Sequence, residues 1–170
     1  RSVGGYEQQR ANFDDLVNFT AAGAERLLRN PNVWFERQCR ERIAAGARPA
    51  GLAAMLTRML DGESDVVLRL RALWSLNLTG ELTRERLMKL LHEKDEHLRV
   101  WAIRLLTDSM PLDGITAPHP AAVSTMDRDL AQQLLALAKN DSSALVRLAL
   151  ASTLQRLPVV GRAELAAALV

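Results

Sequence analysis

The sequence predicts an all-α fold, an α-solenoid of about four antiparallel helical hairpins. Three observations carry that expectation. Aromatic residues make up only 4 % of the chain while hydrophobic residues make up 48 %. Ala and Leu supply most of that apolar content, and both favour helix, whereas strands draw on β-branched and aromatic side chains. Four segments then share one apolar spacing, and short clusters of Asp, Asn, Gly and Pro fall between them, where helices stop and start.

The chain opens differently. Gly4-Gly5 and the polar stretch 6–12 show no helical period, so residues 1–20 read as an N-terminal arm or linker, with one helical turn at most over 14–19. Residues 21–170 read as the repeat domain. The shared pattern lies in segments 33–44, 66–78, 98–109 and 146–157, with Arg69, Arg99 and Arg147 as register marks and Glu36 in the corresponding place of the first. One residue earlier stand Phe35, Leu68, Leu98 and Val146. Three later stand Cys39, Ala72, Ala102 and Leu150, and seven later Ile43, Leu76, Leu106 and Leu154. These offsets are i, i+4 and i+8, one stripe of an α-helix, which predicts burial at all of them.

A shorter helical run precedes each segment, at 24–29, 52–60, 84–91 and 129–139, with apolar pairs such as Leu27-Leu28 and Met59-Leu60. Asn32, Asp65 and Thr83 are placed to cap helices, because their side-chain oxygens can accept from the free N–H groups of a first turn. The repeats are thus about 24–45, 50–79, 83–109 and 125–157. The register positions 36, 69 and 99 are 33 and 30 residues apart, but 99 and 147 are 48 apart. The surplus coincides with Pro111, Gly114, Pro118 and Pro120, which predicts an inserted loop over 110–124. Residues 161–170 read as a partial fifth repeat. That cut, and an opening at Arg1 without an initiator Met, suggest a piece of a longer chain. A single hairpin cannot remove both of its apolar faces from water, so neighbouring hairpins must complete the burial.

Charge gives little direction to function. The 22 Lys and Arg against 20 Asp and Glu divide as 12 and 11 over residues 1–85 and 10 and 9 over 86–170. No basic lobe exists to attract nucleic acid, and no run of 18 apolar residues exists to span a membrane. His92 and His97 are five apart across a helix break, and neither they nor His119 belong to a metal-binding motif. No Cys-x-x-Cys-His is present for covalent haem. Cys39, on the inner stripe, reads as a small packed hydrophobe rather than a reactive thiol. Acid pairs such as Asp14-Asp15 and Asp95-Glu96 lie at helix starts, where negative charge is favourable in its own right. No catalytic residue, metal ligand or cofactor site emerges.

Two sets of residues remain. Trp34, Trp74 and Trp101 lie off the inner stripe on neighbouring sides of their helices. They either pack between hairpins or, together with Arg37, form an aromatic partner surface, since Trp and Arg are enriched in binding hot spots. Arg69, Arg99 and Arg147 form a register that reads as structural, pairing with acids of adjacent repeats such as Asp65, Asp95 and Asp141. The rival reading is an anion-binding stripe.

The hydrophobe–Arg pairs Leu68-Arg69, Leu98-Arg99 and Val146-Arg147 resemble those of HEAT repeats. The wording of Asn30-Pro31-Asn32-Val33-Trp34-Phe35, of Leu70-Arg71-Ala72-Leu73-Trp74-Ser75-Leu76 and of His97-Leu98-Arg99-Val100-Trp101-Ala102 is similar to one group in particular. It is the HEAT-like segment of very large planctomycete and verrucomicrobial proteins described as membrane-bound dehydrogenases, with a β-propeller before the repeats and a cytochrome c region after them. The resemblance covers about residues 24–170. Glu36-Arg37 stands where that family commonly has two arginines, and Cys39 where it has Ala. The resemblance implies a HEAT-like solenoid, an exported or periplasmic setting, and chemistry housed in modules that these residues do not include. The expected function is a non-catalytic scaffold for protein partners or adjacent domains of the same chain, without a cofactor and without membrane insertion. The alternative is a nucleic-acid-binding module of the alkylated-base glycosylase kind, which the charge balance disfavours.

Overall fold

A computed structural model describes residues 3–112 and 127–170. The described residues form ten α-helices and no strand, as the composition predicts. They are α1 (Val3–Val17), α2 (Ala21–Leu28), α3 (Val33–Ala44), α4 (Leu52–Gly62), α5 (Val66–Thr79), α6 (Arg84–Leu90), α7 (Glu96–Thr107), α8 (Arg128–Asn140), α9 (Ala144–Thr153) and α10 (Val159–Leu169). The chain divides into two compact units, one ending at Leu82 and the other starting at Thr83.

Capping residues set the helix starts. The Asn32 side chain accepts from the N–H of Trp34 at 3.0 Å, Asp65 from Val67 at 2.8 Å and Thr83 from Arg86 at 3.2 Å, as expected from the sequence. Asp95 caps α7 and Ser143 caps α9 in the same way. Gly80 closes α5 with a φ of 78°, a left-handed conformation that a side chain would strain.

In the first unit, α2 packs against α3, and α4 against α5. The second pair lies on the first with α2 against α4 and α3 against α5. In the second unit, α6 packs against α7 and α8 against α9, α7 lies on α9, and α10 covers α8 while touching α9. Of the twelve stripe positions, nine are buried, among them Phe35, Cys39, Ala72, Leu98, Ala102, Val146 and Leu150. Leu68, Leu106 and Leu154 are only half-buried. In α7 the deepest positions toward the C-terminal end are Ile103 and Thr107 rather than Leu106. An i, i+4, i+8 line is not parallel to the helix axis, and over eight residues it turns by about 80°, which carries Leu106 away from the side of α7 that Leu98 occupies.

The expected arm is not an arm. Residues 3–17 form α1, which packs on α2 and also touches α3. Its inner face is mixed: Asn12 and Leu16, one turn apart, are both buried. Asp15 accepts from Arg26 of α2 at 2.8 Å. Gly23 of α2 permits the approach, since a Cβ there would lie 3.0 Å from the Asp15 carboxylate. A count of apolar residues does not register a helix docked through Asn, Asp and Gly. The inserted loop predicted over 110–124 falls, from residue 113 onward, outside the described residues, as does His119.

Candidate functional site

The arginine register ties each of its helices to backbone carbonyls of the segment before it. Arg69 donates from Nε to the Leu60 carbonyl at 2.7 Å, and Arg147 from Nη1 to the Ala138 carbonyl at 2.8 Å. In both cases a second helix satisfies a carbonyl in the last turn of the helix before it, where no intrahelical N–H is available. Arg147 also reaches the Leu169 carbonyl in α10 at 2.6 Å. Arg99 donates to the carbonyls of Glu93 and Lys94 at 2.8 and 2.9 Å, and grips Asp141 with two bonds of 2.7 and 2.9 Å. Of the acids expected to pair with this register, Asp141 meets Arg99, while Asp65 and Asp95 cap α5 and α7, the helices that carry Arg69 and Arg99. Burial pushes the Asp141 carboxyl up, but the Arg99 bonds and the Ser143 N–H outweigh that and hold it below the usual aspartate value.

Glu36, at the register place in α3, is buried and forms an ion pair with Arg40 one turn later. Arg40 in turn lies over the Trp74 ring, 5.3 Å from its centroid. Trp74 thus serves the packing of α3 on α5. Trp34 is different. It is 46 % exposed and meets Phe13 of α1 at 5.7 Å and Phe35 at 5.0 Å between ring centroids. Phe13 is itself 45 % exposed. Val17, one turn along α1 from Phe13, and Val33, beside Trp34, are exposed as well. Arg37 is exposed one turn along α3. Phe13 was not a sequence candidate, because it belongs to the stretch read as an arm.

Trp101 is half-buried in the second unit and carries the Arg104 guanidinium over its ring at 5.2 Å. Both line an open groove of about 310 Å³ between α7 and the end of α9. No sequence signal pointed to this groove, which needs residues almost fifty positions apart to meet.

The remaining candidates are inert or scattered. Cys39 is fully buried, its thiol pushed up to about 12, chiefly by burial and further by the Glu36 charge. A thiol held protonated in this way is a poor nucleophile at neutral pH. His92 and His97 are exposed. Among the described residues no group of three or more His, Cys, Asp or Glu is placed to hold a metal ion, and no helix is long and apolar enough to cross a membrane. Comparison with protein-family models, with curated proteins and with solved structures gives no match.

Proposed function

We propose that this chain is a HEAT-like helical-repeat scaffold that works by contact with other proteins or adjacent domains, without a catalytic centre of its own. The observation that carries the reading is the exposed aromatic pair Phe13–Trp34, set between Val17 and Val33. Two large rings left nearly half in water, locked against each other and against buried Phe35, are the kind of rigid anchor that dominates protein interfaces. The repetition supports it: pair α2–α3 is matched on pair α4–α5 helix for helix, and an arginine at one register of α5, α7 and α9 donates back to a carbonyl of the segment before it. The nucleic-acid alternative is less favoured, because Arg69, Arg99 and Arg147 donate to backbone carbonyls of the chain and Arg99 also to Asp141. In the setting that the family resemblance implies, the partners would be the propeller and haem modules of the same polypeptide.

The test begins with a partner found by chemical cross-linking and then purified. Its affinity is measured for the wild type, Trp34→Ala and Arg58→Ala. Loss of a central aromatic anchor should weaken binding by at least about tenfold, roughly 1.4 kcal/mol. Arg58→Ala, exposed on α4, should bind as the wild type does. Equal binding by Trp34→Ala would reject this surface.

A further inference from the structure

The groove between α7 and α9 has a chemistry of its own. The Arg104 guanidinium lies over the Trp101 ring, 5.2 Å from its centroid, a contact that favours one placement of a mobile side chain. At the far end, Arg156 donates to the carbonyls of Asp108 and Met110 at 3.0 and 2.9 Å, with its other terminal nitrogen 3.7 Å from the Asp108 carboxylate. Those are the charged groups of the lining: two guanidiniums against one carboxylate.

The hydroxyls add a second constraint. Thr107, Ser152 and Thr153 donate to the carbonyls of Ile103, Leu148 and Ala149, four residues back, at 2.9, 2.9 and 2.8 Å. Thr107 and Thr153 are buried, so Ser152, exposed and with its proton committed, is the hydroxyl that offers the groove lone pairs. A matching ligand must bring negative charge for the arginines, an N–H donor for Ser152, and apolar surface for Trp101 and Leu105.

We propose that this groove binds an acidic, partly apolar peptide segment of a partner protein. A peptide supplies all three features at once: carboxylates, backbone N–H groups and aliphatic stems. The volume, about 310 Å³, is at the small end of ligand sites and suits a few side chains rather than a domain. A nucleic-acid strand matches less well, since a polyanion needs a track of cations, and the lining, Asp108 included, carries one net positive charge. The proposal rests on the protein-contact reading above, but it uses residues other than the Phe13–Trp34 surface, so either can fail alone.

The test is fluorescence anisotropy with three labelled probes. They are a short peptide alternating glutamate and leucine, its glutamine counterpart, and a thymidine oligonucleotide of similar length. The acidic peptide should bind saturably, and the glutamine peptide at least about tenfold more weakly, the loss of one charge-assisted contact. Arg104→Glu should weaken the acidic peptide by a similar factor. Ser152→Glu, which places a competing carboxylate in the groove, should do the same. Both positions are exposed, and unchanged thermal melts would show that the variants fold. Trp34→Ala should leave the peptide affinity unchanged. The proposal is overturned by no saturable binding below about 1 mM, by equal affinity for the glutamine peptide, or by binding that ignores both groove substitutions. It is overturned equally if the peptide is lost in Trp34→Ala, or if the oligonucleotide binds more tightly and is the probe that Arg104→Glu releases.

Discussion

Asp141 joins two packed helices through one carboxylate. It takes both bonds of the Arg99 fork while accepting from the N–H of Ser143 at 2.9 Å. Its side chain is 6 % exposed, so the pair is shielded from the solvent that weakens surface ion pairs. The carboxyl is held below its ordinary value, so the charged form is the one the fold favours. The stability this contributes is complete above the unfolded-chain value of about 3.9 and drains away as pH falls through the lower folded value. Asp141→Asn should cost about 1.5–3 kcal/mol at pH 7, the range for hydrogen bonds to charged groups. It should also flatten the acid limb of stability, which urea midpoints measured from pH 7 down to pH 3 would show. Burial sorts other single positions. Leu76→Ala, at 2 % exposure, should cost about 2–5 kcal/mol, whereas half-buried Leu106 should cost less and exposed Arg58→Ala under about 0.5 kcal/mol. From the sequence alone Leu76 and Leu106 looked equivalent. Denaturant melts of the three should separate them in that order.

The helix ends reveal what the recurring arginine is for. Its offset within α5, α7 and α9 could be read from the chain, but its acceptors could not, because a backbone carbonyl leaves no mark in a sequence. Arg147 ties the ends of α8 and α10 together, so Arg147→Met should cost about 1–3 kcal/mol by leaving carbonyls unsatisfied. Exposed Arg37→Ala should be close to neutral, and thermal unfolding would distinguish the two. Helix α1 presents the opposite case, an element that patterning missed. Its docking face reads Asn12, Asp15 and Leu16 against Gly23 and Arg26, and among the described side chains a single aliphatic one marks it. Leu16→Ala should nevertheless destabilise the first unit by about 2–3 kcal/mol. A free arm would show no change in the same melt.

Repetition also predicts how the molecule comes apart. When each hairpin contacts only its neighbours, stability is a sum of local terms, and damage stays near its origin. Amide hydrogen exchange on Leu76→Ala should therefore show a larger loss of protection across α2 to α5 than across α6 to α9. A uniform loss over both units would argue for a single cooperative core and against the solenoid reading.

Helix content, most helix starts and the inner line of Phe35, Cys39, Ala72, Leu98 and Leu150 were legible from residue order, because caps and 3.6-residue periodicity act within a few positions. Packing alone assigned the rest: the docking of α1, the acceptors of Arg69 and Arg147, and the exposure of Trp34 beside Phe13. It also decided the groove where Trp101 and Arg104 face Ser152 and Arg156. Each of those depends on side chains, or a side chain and a carbonyl, from different segments meeting in space, and no local pattern records which segments will touch.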